Sequence, residues 1–199
     1  MAGNNARTRA RLLSREKQFN TGLAERLFNR SISINQWQTE MRAHIVQNYK
    51  AQYVLGKGTT QLTQRDYGII GSQVKKQYAF LNQFAQEITN GRYTVDQARM
   101  VATRQQMYAM SSNQAYERGK AEKYGSPQLP AYPGDGGTQC RTNCLCTWVL
   151  KRLKNGNISA TWKLGKTEKH CHDCPPRAKV WRGLLFAPTG EPLKEIEMI

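Results

Sequence analysis

The stretches TQCRTNCLCTW (residues 138–148) and TEKHCHDCPP (residues 167–176) hold all five cysteines of a 199-residue chain. Between them, TWVLKRLKNGNISATWKLG (147–165) reads as a β-hairpin. Trp148 and Leu150 alternate with polar neighbours, as do Ile158, Ala160, Trp162 and Leu164, and Asn155-Gly156-Asn157 supplies the turn. The order is a cysteine knuckle, a hairpin and a second knuckle. That is the layout of a zinc ribbon, in which two thiol pairs converge on one tetrahedral Zn²⁺. The predicted ligands are Cys140, Cys144, Cys171 and Cys174. Cys146 is the alternate, because in an extended segment it points the same way as Cys144. His170 and His172 flank Cys171 and read as exposed residues that stand next in line to complete the site.

Energetics favour such a staple. About 60 residues follow residue 137, a size at which apolar burial alone leaves marginal stability. A structural zinc adds on the order of 10 kcal/mol. The rival reading is disulfides, but five cysteines leave one unpaired, and the N-terminus MAGNNARTRARLLSREKQ (1–18) lacks the apolar core of a secretory signal. Four thiolates on one Zn²⁺ carry a net charge of about −2 by ligand counting. Arg141, Lys169, Arg177 and Lys179 stand near enough in sequence to offset it.

Upstream, residues 31–125 read as a helical body. Capping-box spacing opens three segments: Ser33 to Gln36, Thr63 to Asp66 and Thr94 to Gln97. Apolar stripes follow each: Trp37, Met41, Ile45 and Tyr49; then Tyr67, Ile70, Val74, Tyr78, Leu81, Phe84 and Ile88; then Ala98, Val101, Met107, Met110 and Ala115. Gly56 with Gly58, Gly91 and Gly125 mark the stops. Tyr67, Tyr78, Phe80 and Tyr108 sit at helical spacing and are expected in the core. His44 is expected on a helix surface without a partner. Residues 1–30 read as a basic arm plus a weak helix containing Gly22. Residues 126–137, SPQLPAYPGDGG, read as an extended Pro/Gly linker, and 138–199 as the zinc-binding hairpin module. The fold class is thus α+β: an elongated N-terminal helical bundle followed by a small zinc-ribbon-like β module.

A formal net charge of +16 points to a polyanion, most simply DNA contacted without sequence specificity. Arg7, Arg9, Arg11, Arg15 and Lys17 are the densest basic stretch and suit an arm laid on phosphates. No apolar run of membrane-spanning length is present. A phosphate-cradling Gly-rich motif is missing too, and two of the three histidines flank a cysteine, so the chain reads as non-enzymatic.

Four stretches, SINQWQTEMRAHI (33–45), QLTQRDYGIIGSQVKKQYAFLNQFAQEITNGRYT (61–94), LPAYPGDGGTQCRTNCLCTW (129–148) and WKLGKTEKHCHDC (162–174), resemble minor head proteins of tailed bacteriophages, the head-morphogenesis proteins. The most specific parts are YPGDGGTQCRTNCLC (132–146) and HCHDC (170–174), and the Asn-Cys-x-Cys element, here Asn143 to Cys146, is a recurring mark of the related proteins. In many members the cysteine knuckle precedes that element, whereas here HCHDC follows it. The resemblance implies a virion protein inside the head, in several copies near the portal, built in the host cytoplasm. Its partners would be portal or major capsid protein and double-stranded DNA, and its role head assembly, DNA packaging or genome delivery. The alternative is a zinc-ribbon nucleic-acid-binding protein in regulation or processing.

Overall fold

The computed structural model describes residues 2–94 and 97–198. Helices come first and a three-stranded antiparallel sheet follows, so the chain is α+β. Contacts divide it into two compact units: residues 1–51 with 61–110, and residues 52–60 with 111–199.

The first unit is helical: α1 (Ala2–Phe28), α2 (Ile34–Lys57), α3 (Gln64–Thr89) and α4 (Ala98–Ser111). Two capping boxes form as the spacing predicts. Ser33 and Gln36 bond reciprocally, and so do Thr63 and Asp66. At the third, Thr94 N–H donates to the Gln97 side chain, while Val95 and Asp96 lie outside the described residues. Trp37, Met41, Ile45, Tyr49, Ile70, Val74, Leu81, Phe84 and Val101 are buried, as their stripes require. Glu16 and Arg26 of α1 bond His44 and Glu40 of α2, in opposite sequence order, so the two helices run antiparallel. Asn82 of α3 accepts from Gln38 and Arg42, and Tyr78 Oη donates to the Arg42 carbonyl, which sets α2 antiparallel to α3.

Several expectations are corrected here. The basic stretch is no arm: Arg7, Arg11 and Arg15 are exposed on one line of α1, four residues apart. Gly22 is tolerated inside that helix. Tyr67 and Phe80 are 52% and 59% exposed, Tyr67 standing in the opening turn of α3 although it shares the stripe of Val74 and Leu81 at spacings of seven residues. Met107 is exposed as well. His44 has a partner: its Nε2 lies 2.7 Å from Glu16 Oε2 and its ring stacks on Phe19 at 3.6 Å. The last predicted helix is broken at Ser112 into α4 and α5 (Asn113–Lys123).

In the second unit, α5 crosses the end of α2 with backbones in contact. A Cβ on Gly119 would collide with the Tyr53 carbonyl, and one on Gly56 with the Tyr116 carbonyl, so glycine alone fits both places. The hairpin forms from β1 (Thr147–Arg152) and β2 (Ile158–Lys163), with Trp148 opposite Trp162 and Gly156 at φ +85° in the turn. An unanticipated third strand, β3 (Leu184–Phe186), pairs with β2. Residues 126–137 belong to this unit rather than spanning a gap. Gln128 N–H donates to the Gly190 carbonyl, and the Trp148 indole donates to the Ala131 carbonyl at 2.8 Å. Asp135 caps the Tyr132 and Gly137 amides, which folds the Pro/Gly run back on itself.

One charged cluster of the helical unit yields a pH prediction. Arg104 bonds both oxygens of Glu87, and its guanidinium also reaches Tyr93 and covers the Phe84 ring. Hydrogen bonding from Arg104 holds the Glu87 carboxyl below its ordinary value of 4.5, against an opposing push from desolvation. A depressed folded-state pKa means stability that is full above 4.5 and lost as pH falls through the lowered value. Wild type should therefore out-melt Glu87→Gln at neutral pH, with the gap narrowing as the pH falls below 4.5 and the carboxylate is protonated. A gap that stays constant across that titration would contradict the role of this carboxylate.

Candidate metal centre

The five cysteines meet in the second unit. Cys140 precedes a 3-10 turn (Arg141–Asn143), Cys144 and Cys146 lead into β1, and Cys171 and Cys174 bracket the entry to α6 (Cys174–Val180). The hairpin carries the chain out and back, so knuckles about 30 residues apart close on each other. Cys174 Sγ lies 3.3 Å from Cys171 Sγ and 3.9 Å from both Cys140 Sγ and Cys144 Sγ. Cys140 and Cys171 sulfurs are 3.5 Å apart. Two overlapping groups result, Cys140 with Cys171 and Cys174, and Cys144 with Cys146 and Cys174. All five thiols are free, with no disulfide among them.

These spacings fit a metal centre. Four sulfurs about 2.3 Å from a tetrahedral ion stand about 3.8 Å from one another. The four predicted ligands come together around Cys174, and the alternate, Cys146, lies in the same cluster. Each group brings three thiols together, and Cys174 joins the two. Cys144, Cys146 and Cys174 are buried, whereas Cys140 and Cys171 are half-buried. His170 and His172 are exposed and belong to neither group.

Electrostatics within the cluster are uneven. A hydrogen bond from the Cys144 thiol, supported by the Gly165 amide, lowers Cys146 to about 5, and the same bond raises Cys144. Burial pushes Cys174 up. Burial also works against ionising Cys171, but hydrogen bonds from Cys174 and from the Cys140 backbone outweigh it, and its pKa falls. The cluster is thus a set of soft donors already predisposed to thiolate at two positions, and it could hold a metal ion.

Its surroundings are apolar. Trp148, Trp162 and Trp181 are almost fully buried and pack with ring centroids 5.3–6.0 Å apart. Together with Cys144, Cys146 and Cys174 they form one core cluster with Leu150, Ile158, Ala160 and Phe186. Arg177, one turn beyond Cys174, is also buried, and its Nη2 donates to the Gly137 carbonyl at 2.7 Å, tying the approach to the first knuckle onto α6. Its Nε and Nη1 have no hydrogen-bond partner, and the guanidinium lies over the Trp181 ring at 5.0 Å. A buried cation of this kind is suited to offset thiolate charge. Of the four bases named from sequence, Arg177 is buried, while Arg141, Lys169 and Lys179 stay exposed.

Helix α5 supports the first knuckle in a way the sequence did not reveal. Asn113 Nδ2 donates to the Cys144 carbonyl. Glu117, fully buried, accepts from Trp148 N–H at 3.0 Å and from Thr147 Oγ1 at 2.6 Å, and pairs with Lys120 at 3.0 Å. Lys120 in turn donates to the Trp148 carbonyl. The only sequence signal was an ordinary Glu-Lys pair three residues apart, a spacing common on exposed helix faces.

The class this defines is an α+β protein with a cysteine cluster that could hold a metal and, among the described residues, no helix long and apolar enough to cross a membrane. No protein-family profile, curated protein or solved structure matches the chain at a significant level.

Replacing Glu117 by Ala leaves the Trp148 amide without its acceptor and the Lys120 ammonium without its counter-charge, and should cost about 3–5 kcal/mol. Denaturant unfolding followed by tryptophan fluorescence measures it, and a loss under about 1 kcal/mol would show that the pair is dispensable.

Proposed function

We propose that the cluster holds one structural Zn²⁺, with Cys140, Cys144, Cys171 and Cys174 as ligands. We further propose that the protein is a non-enzymatic minor component of a tailed-bacteriophage head. In this reading it sits inside the head near the portal, contacts portal or capsid protein and packaged DNA, and contributes to assembly or genome delivery. One observation carries the reading. The two elements on which the resemblance to minor head proteins is most specific, Asn143 to Cys146 and His170 to Cys174, are the two that meet in space. Residues that are remarkable in sequence and adjacent in three dimensions share a single role, and soft thiol donors at these spacings suit zinc. With the ion bound, the zinc ribbon would be stabilised by coordination where its three short strands offer little apolar area.

The alternative, a zinc-ribbon nucleic-acid-binding regulator or processing factor, draws on a different feature. Residues 136–167 contain six bases and no carboxylate. Sequence-selective DNA or RNA binding by the isolated chain would favour it.

Elemental analysis of purified protein should find one zinc per chain. Cys174→Ser should abolish retention, since Cys174 belongs to both thiol groups, while Cys146→Ser should keep the metal. Retention by Cys140→Ser with loss by Cys146→Ser would reassign the ligand set to Cys144, Cys146, Cys171 and Cys174. A zinc-free chain with native near-ultraviolet dichroism would remove the metal reading altogether.

The head role is tested separately. The protein should co-sediment with intact, nuclease-treated particles produced from a phage encoding it. Its absence from purified particles would refute that assignment.

A further inference from the structure

We infer that the outer face of the β1–β2 hairpin is a binding surface for the sugar-phosphate backbone of nucleic acid, with Lys151, Lys163 and Arg182 as its cationic contacts. This names the surface for the DNA contact proposed above and does not require the head role. It begins with strand parity. Trp148, Leu150, Ile158, Ala160 and Trp162 point into the core, so Thr147, Val149 and Lys151 on β1 share the opposite face with Ser159, Thr161 and Lys163 on β2. The register stacks them in rows: Lys151 beside Ser159 and then Leu185 of β3, Val149 beside Thr161, and Thr147 beside Lys163. The two lysines therefore stand about 14 Å apart along the strands. Arg182 joins them at the edge. The Trp181 carbonyl accepts from Trp162 N–H and Gly183 N–H donates to Thr161 Oγ1, which sets the exposed Arg182 beside Thr161 and Trp162.

Charge and chemistry then point to phosphate. Lys151, Lys163 and Arg182 are exposed, and none has an ion-pair partner among the described residues. Nothing acidic lies on the hairpin to neutralise them. Ser159 and Thr161 place hydroxyl groups between the cations, the donor type that accompanies Lys and Arg at phosphate oxygens. The outer face carries no aromatic ring: all three tryptophans of this unit are turned inward. Base stacking, the means by which single strands are gripped, is thus missing from the face. The expected ligand is duplex backbone, bound without sequence preference and with strong salt dependence.

The experiment uses the full metal-loaded chain and a 5′-labelled duplex of about 30 base pairs in arbitrary sequence, with anisotropy titrations from about 50 to 200 mM salt. The triple variant Lys151→Gln/Lys163→Gln/Arg182→Gln should lose about 2.7 from the magnitude of the log K against log salt slope, at about 0.9 per phosphate released. Its affinity at about 100 mM salt should fall at least tenfold, with zinc content and circular dichroism unchanged because all three side chains are exposed. Arg7→Gln/Arg11→Gln/Arg15→Gln serves as the comparison, since those bases lie on α1. An unchanged slope and affinity in the hairpin variant would overturn the assignment. So would a preference for one sequence or for single strands. If Val149→Ser/Leu185→Ser disrupted co-purification of another protein while the triple variant bound DNA like wild type, the face would be a protein-docking surface instead. Loss of DNA binding by a variant still incorporated into particles separates this inference from the head role, and DNA binding by a chain absent from particles does so in the other direction.

Discussion

Sulfur atoms crowded into a nearly dry tryptophan core are the constraint around which the second unit is arranged. Cys144, Cys146 and Cys174 are buried against Trp148 and Trp162, and their sulfurs approach one another closely enough to share protons. Thiolates are costly in such surroundings unless a hydrogen-bond donor, a cation or a metal faces them. The fold supplies the first, the Gly165 amide toward Cys146. A bound divalent ion would supply the third, converting mutual repulsion into cross-links between two knuckles that are remote in sequence.

Everything around the cluster serves to hold those knuckles at the right separation. The hairpin returns the chain, the Asp135 turn delivers it to Cys140, and α5 secures the exit from Cys146 through Asn113 and Glu117. Glu117 is a demanding choice, because a fully buried carboxylate is tolerated only when each oxygen is satisfied. Here one oxygen accepts from Thr147, the other from the Trp148 amide, and Lys120 pairs with both. The close crossing at Gly56 and Gly119 belongs to the same arrangement, since α5 can contact the end of α2 only where no Cβ intervenes.

The helical unit is stabilised by different means. Amphipathic stripes bury one face of each helix, reciprocal caps satisfy the first-turn amides, and polar pairs such as Glu16 with His44 and Glu87 with Arg104 link neighbouring helices. Its basic residues stay at the surface, with Arg7, Arg11 and Arg15 aligned on α1. The proposed DNA contacts thus draw on two unlike surfaces, a helix line in one unit and a strand face in the other.

Local patterning determined much of this protein. The caps at Ser33 and Thr63, the stripe from Trp37 to Tyr49, the turn at Asn155-Gly156 and the alternation along β1 and β2 all follow from interactions within a few residues, which a sequence displays directly. The thiol pairs were legible for the same reason, since knuckle spacing is short. Tertiary structure alone decided the rest. Whether Gln128 to Gly137 hangs free or packs, whether His44 finds Glu16, which of Tyr67 and Tyr108 is buried, and that Glu117 lies beneath β1 depend on partners distant in sequence, 17 to 31 residues away where a hydrogen bond marks them. No local period encodes such meetings, because burial and hydrogen bonding are set by what the rest of the chain brings alongside.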